Sequence, residues 1–240
     1  MTGSSAIKIH RNANHLLRVV FCLLLSACSS DAIKNSDDVE IIYKTTVEYV
    51  EKGRFLEAGE LISEIRTRFP QSRYAALAEL KQADIYFAQD MFAEAAAAYG
   101  VFVELYPNHS EAPYALYHRA LSYYNDAPDE VARDQSPAND AAAAADSLVK
   151  RYPDSAFVEK SKELQKKARL KLAEKEAYVA HFYEHRHASV AAYRRWLGLK
   201  AMFTDIGQLP EGQKLLELAG ERIAKLEKEV DASKEDKKNN

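Results

Sequence analysis

The sequence predicts an all-α protein, a helical solenoid of four to five repeats that are each a helix-turn-helix unit. Related phrases recur along the chain: RFPQS at 68–72, LYPNHS at 105–110, RYPDS at 151–155 and, in degenerate form, MFTDI at 202–206. In each copy an alanine lies 12 residues before the third letter of the phrase, at Ala58, Ala95, Ala141 and Ala192. No strand pattern appears, and the 240 residues include only eight glycines. A constant spacing inside unevenly separated copies indicates one structural unit that is repeated with insertions.

The first copy indicates how the unit folds. Gly53 marks a turn, Ala58 lies near the start of a second helix, and apolar residues then follow at helical spacing. Pro70 ends that helix because proline cannot continue one. The unit resembles the tetratricopeptide repeat, in which small alanines let two antiparallel helices approach closely. Asp90 and His187 take the place of the turn glycine in the second and fourth copies.

The later repeats differ in how their helices are connected. In the third repeat an insertion at about 126–136 follows the helix APYALYHRALSYYN, and Ser136 and Pro137 suit the cap and first turn of the next helix. A long helix from about Ala156 to Glu184 leads into the fourth repeat. The predicted organisation is therefore repeats 1 and 2 at 39–110, repeats 3 and 4 at 111–205, a C-terminal segment at 206–229 with one helix from about 210, and a disordered polar tail at 230–240.

The first 27 residues have the composition of a signal peptide. Basic residues precede a short apolar run at 19–25, which is far shorter than the roughly 20 residues that span a bilayer. The stretch Leu25-Ser26-Ala27-Cys28 resembles the lipobox of bacterial lipoproteins, so we expect cleavage before Cys28, lipidation of Cys28 and a linker at 28–38. Several acyl chains hold a protein on a membrane surface without spanning it. Ser29 after the cysteine resembles the sorting signal for the outer membrane of a Gram-negative cell.

The composition of the mature chain disfavours several classes of function. Removing residues 1–27 leaves 30 basic and 36 acidic residues, a net charge of −6 in place of −3. Phosphate binding needs clustered Lys and Arg, and no basic patch stands out in this acidic chain, so we expect no nucleic-acid partner. Cys28 is the single remaining cysteine, so no internal disulfide can form. We find no G-x-S-x-G elbow, no catalytic residue set and no indication of a cofactor.

Beyond the repeat itself, several phrases carry a resemblance to one family. They are LYPNH, YALYHRAL at 114–121, Arg133-Asp134 before the third repeat, RYPDS and YVAHFYEHRHASVAAY at 178–193. With the lipobox, the sequence over about 25–205 resembles the BamD family, the tetratricopeptide-repeat lipoproteins of the outer-membrane β-barrel assembly (Bam) complex. The fourth repeat departs from the pattern because it lacks the glycine and the proline, and the fifth is reduced to about one helix.

The resemblance implies a non-enzymatic scaffold that faces the periplasm. It implies that the C-terminal repeats bind the last periplasmic POTRA domain of a BamA-like barrel protein, with other Bam lipoproteins as further partners. Arg194, Arg195 and Trp196 are the predicted partner-binding residues, because arginine and aromatic residues are enriched in binding hot spots. For Trp196 the alternative is a core role, since it takes a packing position of its helix.

The resemblance also implies that the N-terminal repeats receive C-terminal segments of unfolded barrel precursors. If the usual register holds, the first helices of the first three repeats direct seven mostly aromatic or apolar residues toward the concave face. A groove with this lining suits an extended peptide with aromatic side chains. The alternative is that these residues pack between helices. The predicted groove consists of Tyr43, Val47, Asp84, Phe87, Tyr117, Leu121 and Tyr124.

Two other readings of the sequence remain open. A different tetratricopeptide lipoprotein, for pilus assembly or cell division, would share the lipobox and the repeats. The stretch HFYEHRH at 181–187 matches H-x-x-E-H, in which His181 and His185 bind zinc and Glu184 polarises water in a class of peptidases. No later segment offers a third ligand motif, so we predict a helix end and a turn here.

Overall fold

The computed structural model describes residues 33–34 and 36–238. Cys28 and the predicted leader lie outside these residues. Within the described part the chain forms nine α-helices and no strand, which confirms the predicted all-α repeat fold. The helices are α1 (Val39–Glu51), α2 (Phe55–Arg68), α3 (Arg73–Ala88), α4 (Phe92–Leu105), α5 (Ala112–Asp126), α6 (Ser136–Arg151), α7 (Val158–His185), α8 (Ser189–Met202) and α9 (Pro210–Lys238), with a 3-10 turn at Thr204–Gln208.

The helices belong to two compact units, of which the first ends at Ile85 and the second begins at Tyr86. In the first unit α1 packs against α2. In the second unit each helix from α4 to α9 packs against the next one along the chain. Sequential helix pairs of this kind are the packing that a repeat fold requires.

The first unit has a capped start and a core of its own. The Asp38 carboxylate accepts a hydrogen bond from the backbone N–H of Glu40 at 2.9 Å, so it caps α1. Arg68 at the end of α2 donates to the Asp37 carboxylate at 2.9 Å, which fixes the segment before α1. The buried apolar core consists of Ile42, Tyr49, Ala58, Leu61, Ile62, Ile65, Ala78 and Ile85.

Three helix ends share one turn geometry. Gly53, Asp90 and His187 have backbone φ of 69°, 58° and 55°, all in the left-handed region. In each turn the N–H of the next residue donates to the carbonyl of a tyrosine five residues earlier, at 2.8 to 3.0 Å. This is the Schellman motif of helix C-termini. The predicted equivalence of the three turns is therefore confirmed, although only the first has the glycine that this φ favours.

The repeated alanines form the contacts that the spacing predicts. Ala58, Ala95, Ala141 and Ala192 all have no exposed surface. The helix that contains each alanine ends one residue before an aromatic cap residue, whose N–H donates to the carbonyl four residues earlier. These cap residues are Phe69, Tyr106, Tyr152 and Phe203. In three copies the next residue is proline, which keeps the residue before it from continuing the helix.

The fourth copy lacks the proline and ends in the same way for a different reason. Arg169 of α7 donates from Nε and Nη2 to the two carboxylate oxygens of Asp205, at 2.6 and 2.8 Å, and from Nη2 to the carbonyl of Met202. The guanidinium also lies 5.1 Å from the ring centroid of Phe203. In this copy the bidentate contact between Arg169 and Asp205 therefore fixes the helix end that a proline fixes in the other three copies.

The insertion of the third repeat lies between α5 and α6. Lys171 of α7 donates to the Asp129 carboxylate at 2.9 Å, and Lys175 donates to the carbonyl of Ala132 at 2.7 Å. Gln135 closes the loop by donating to the carbonyl of Pro128 at 3.0 Å. Two lysines one helical turn apart therefore hold the insertion against α7.

Two details of the later helices differ from the predictions. Ser136 is the first residue of α6, and its N–H and Oγ donate to the Asp134 carboxylate at 3.2 and 2.9 Å, so Ser136 is not the cap. The backbone of α9 continues to Lys238, so the predicted disordered tail at 230–240 is wrong over its described residues. The segment is polar, yet Ala, Lys and Glu are strong helix formers, and polarity alone does not end a helix.

None of the helices in the described part of the chain is long and apolar enough to cross a membrane.

Candidate partner-binding surfaces

Trp196 lies in the core of the second unit. Its side chain has no exposed surface, and it shares the buried face of α8 with Ala192 and Leu199. The His181 ring contacts its indole edge-on, with ring centroids 4.9 Å apart. Of the three predicted partner-binding residues, Trp196 therefore takes the alternative role, which is packing.

The Glu184 carboxylate links three helices around that tryptophan. It accepts a hydrogen bond from Trp196 Nε1 of α8 at 2.5 Å and one from Arg222 Nη1 of α9 at 3.4 Å. The Glu184 side chain is only 18% exposed, so these contacts are partly shielded from water. A buried indole N–H needs a partner, and the charged acceptor supplies a strong one.

Arg195 lies on the flank of α8 that faces α7. Its Nη1 forms an ion pair with Glu176 Oε2 of α7 at 3.1 Å. The Arg195 side chain is 46% exposed and that of Glu176 is 26% exposed. Arg195 is therefore accessible to solvent and already has an acidic partner within the chain.

Val190, Arg194, Leu197 and Ala201 form an exposed stripe along α8, which we call the α8 face. Their spacings of four, three and four residues place them on one side of the helix. Val190 is 44% exposed and Leu197 is 41% exposed. Within the residues that the structure describes, Arg194 has no ion-pair partner. An unpaired arginine between exposed apolar side chains is a composition typical of protein interfaces.

The stretch HFYEHRH forms the end of α7 and its turn. His181, Glu184, His185 and His187 line an open cavity of about 820 Å³ between α7 and α9, which Arg222 also lines. The Nδ1 of His181 lies 3.8 Å from Glu184 Oε2. In the described part of the chain no group of three His, Cys, Asp or Glu side chains is arranged as a metal ion would require.

Three predicted groove residues, Tyr43, Val47 and Asp84, belong to the first unit, and two of them have polar or aromatic neighbours there. Tyr43 packs against Tyr74 with ring centroids 5.2 Å apart. Asp84 forms an ion pair with Lys81 at 2.6 Å, and its side chain is only 12% exposed. Both side chains are thus already in contact with the protein, and their binding role stays a prediction.

The other predicted groove residues belong to the second unit. Phe87 packs edge-on against His118, with centroids 5.5 Å apart, so it lies between helices. Tyr117 stacks on Phe157 of the turn before α7 at 5.3 Å. Tyr117 and Tyr124, the two predicted tyrosines of α5, both line a cavity of about 310 Å³ between α5 and α7. The other lining residues are Leu121, Asn125, Lys160, Glu163, Leu164 and Lys167.

The residues that fix α8 against α7 and α9 were not predicted from the sequence. Glu184 was considered only as a zinc-site residue, whereas Glu176 and Arg222 did not stand out at all. Their partners lie 12 to 38 residues away in the sequence. One signal was available, since Trp196 is the only tryptophan and its packing position implied a nearby acceptor for the indole N–H.

Comparisons with known proteins agree with this fold and with the lipobox. A sequence model of the YfiO family, described as outer membrane lipoprotein, matches residues 35–238. The outer membrane protein assembly factor BamD of Neisseria meningitidis is 29% identical over 226 residues, which cover 88% of this chain and 85% of the relative. The proteins of the same name from Vibrio cholerae and Caulobacter vibrioides are 28% and 25% identical, over 76% and 84% of this chain and 80% and 67% of their own lengths.

Proposed function

Because the chain belongs to the YfiO family of outer membrane lipoproteins, we propose that it is a scaffold for the assembly of β-barrel proteins in the outer membrane. Relatives that share most of its length are named outer membrane protein assembly factor BamD. In this role it binds the periplasmic POTRA region of a BamA-like protein, and lipid on Cys28 holds it at the outer membrane, facing the periplasm. Other lipoproteins of the complex would be further partners.

The α8 face is the observation that carries this proposal. It combines exposed Val190 and Leu197 with Arg194, for which the described part of the chain supplies no ion-pair partner. Arg195 lies beside it and is half exposed. Rigid packing of α8 on α7 and α9 through Trp196 and Glu184 keeps this face in one orientation, which lowers the entropic cost of binding.

The cavity between α5 and α7 supports a second part of the proposal, the binding of unfolded barrel precursors. Tyr117 and Tyr124 lie two turns apart on α5, with Leu121 between them, and Lys160 and Lys167 line the opposite side. Aromatic and apolar walls suit an extended peptide that carries aromatic side chains. Lys160 suits a carboxylate of that peptide, whereas Lys167 is paired at 2.6 Å with Glu163, which lines the same cavity.

We propose a scaffold rather than an enzyme. The pattern H-x-x-E-H needs a glutamate that is free to act on water, whereas the Glu184 carboxylate accepts from Trp196 and Arg222. This contact set supports a structural role for the motif.

The experiment that tests the proposal is affinity purification of the full-length protein from detergent-solubilised envelopes, followed by mass spectrometry. We expect the wild type to retain a POTRA-containing barrel protein, and Leu197→Asp to reduce its recovery about tenfold or more. Leu105→Asp is the matched control, because Leu105 is a 63% exposed leucine on α4. Cys28→Ala tests the anchor and should release the protein from the membrane fraction.

Two results would contradict the proposal. One is a wild-type purification with no POTRA-containing protein, above all if a pilus secretin is recovered in its place. The other is equal recovery with Leu197→Asp and Leu105→Asp, since the partner would then bind elsewhere.

A further inference from the structure

Arg119 on α5 is a charged side chain with no polar partner among the described residues. Its Nε is buried and has no hydrogen-bond acceptor among the residues that the structure describes. No carboxylate in the described chain lies within ion-pair distance of its guanidinium. A buried N–H donor without an acceptor costs free energy, so this arrangement needs an explanation.

The backbone of α4 is shaped to accept this side chain. A Cβ atom on Gly100 would lie 3.0 Å from Arg119 Cζ and 3.2 Å from its Nε. The guanidinium therefore lies directly against the glycine backbone, and any larger residue at 100 would displace it. On its own helix the guanidinium carbon lies 5.7 Å from the ring centroid of Tyr123. Arg119 is thus held in a defined position rather than left free in solvent.

Arg119 lines a cavity of about 300 Å³ between α5 and α6. Arg151 of α6 lines the same cavity and forms no ion pair within the described part of the chain. Asp140 is the one acidic residue of the lining, so the cavity carries two positive charges and one negative charge. Its remaining walls are apolar or small and consist of Leu116, Tyr123, Ala143, Ala144 and Ser147.

We infer that this cavity binds a side-chain carboxylate of a partner polypeptide, with Arg119 as the main recognition residue. The planar guanidinium fork matches a carboxylate, and the bond would supply an acceptor at the unsatisfied arginine. A net charge of +1 fits one carboxylate, and alanine walls suit the methylenes of a glutamate. Asp140 on the rim would repel a phosphate dianion more strongly than a carboxylate.

The test uses the full-length protein with 15N-labelled arginine side chains and two matched probes, acetyl-Ala-Glu-Ala-amide and acetyl-Ala-Gln-Ala-amide. We expect the Nε–H resonance of Arg119, assigned by its loss in Arg119→Lys, to shift saturably with the glutamate peptide. Because hydrogen bonds to a charged acceptor are the stronger ones, the glutamine peptide should bind at least about tenfold more weakly. Inorganic phosphate, the probe for a lipid headgroup, should bind more weakly than the glutamate peptide.

Two further variants keep the test independent of the folding of Arg119 variants. Asp140 is exposed, and Asp140→Asn should strengthen binding of the glutamate peptide because a like charge is removed. Arg151→Gln should weaken it. An equal response to the two peptides, no response, a stronger response to phosphate, or an unchanged affinity in both variants would overturn the inference. The readout does not involve α8, so its failure is distinguishable from failure of the proposed POTRA binding.

Discussion

The indole Nε1 of Trp196 donates a hydrogen bond of 2.5 Å to the Glu184 carboxylate, and this bond joins the buried face of α8 to the last turn of α7. Arg222 of α9 donates to the other oxygen of the same carboxylate. One partly buried group thereby fixes the relative positions of three helices. The α8 face owes its orientation to that arrangement.

Replacing Glu184 by alanine should destabilise the second unit. The substitution leaves the buried Trp196 N–H without an acceptor and Arg222 without its anion, and we expect the free energy of unfolding to fall by about 2 kcal/mol. Urea denaturation followed by the fluorescence of Trp196, the only tryptophan, measures the effect. His185→Ala is the control because the His185 side chain is exposed. A loss equal to that of the control would contradict the structural role of Glu184.

Replacing His187 by glycine should stabilise the protein. His187 has a φ of 55°, a left-handed conformation that costs a residue with a Cβ about 1 kcal/mol relative to glycine. The free energy of unfolding should therefore rise by a similar amount, and the midpoint of thermal unfolding with it. Gly53→Ala is the converse control, because Gly53 holds a φ of 69° in the equivalent turn. A lower stability of His187→Gly would show that the histidine side chain contributes more than its backbone strain costs.

These turns show which features of the fold follow from sequence and which do not. The equivalence of Gly53, Asp90 and His187 was predictable because the spacing to the buried alanines is constant. The bonds of Glu184 were not predictable, because a carboxylate at the end of a helix is usually solvated and its partners come from two other helices. Local periodicity reports which face of a helix is buried, but it does not report which polar groups meet there.

The same distinction applies to the candidate surfaces. Arg194 and Arg195 are adjacent in the sequence, and the family resemblance favoured Arg195 for partner binding, yet Arg194 is unpaired in the described structure and Arg195 is bonded to Glu176. Consecutive residues on a helix point 100° apart, so only the packing of α7 separates their roles. The cavity at Arg119 was likewise absent from the predictions, because the position of the Arg119 guanidinium depends on its contact with Gly100 of the preceding helix.

Loss of the contact between Arg169 and Asp205 should change the dependence of stability on pH. Burial alone would raise the pKa of Asp205, but the hydrogen bonds and charge of Arg169 outweigh it, and the pKa lies below the usual 3.8. The contact therefore stabilises the fold fully above that value and is lost as the pH falls through the lower pKa of the folded state.

The Asp205→Asn variant tests this pH dependence. Its free energy of unfolding should lie below that of the wild type by a constant amount from neutral pH down to about pH 5, and the difference should shrink as the pH falls below about 4. Urea titrations at a series of pH values measure the difference. A gap that persists unchanged into strong acid would mean that Asp205 contributes by packing and not by charge.

The insertion of the third repeat should open when its two lysines are removed. Lys171 and Lys175 provide the bonds that fix residues 127–135 to α7. In the double variant Lys171→Ala, Lys175→Ala we expect faster amide hydrogen exchange at 127–135, with unchanged exchange in α5 and α6. Lys162→Ala is the control, because Lys162 is on the same helix and its one ion pair among the described residues is with Glu159, one turn before it. Equal exchange in the double variant and the wild type would show that loop-internal bonds such as that of Gln135 are sufficient.

The ion pair between Arg195 and Glu176 provides the means to separate the two roles that Arg195 could have. Glu176→Gln removes the intramolecular partner and leaves α8 unchanged, so it frees Arg195 for an acidic group on a POTRA-containing partner. If Arg195 binds that partner, Glu176→Gln should raise its recovery from solubilised envelopes and Arg195→Leu should lower it, because a desolvated charge pair across an interface contributes about 2 kcal/mol or more. If Arg195 serves only to hold α8 on α7, both variants should lose the same modest stability, as expected for a half-exposed pair, and neither should change recovery. Opposite changes in recovery would therefore assign Arg195 to the interface, and equal recovery would confine the interface to Arg194 and Leu197.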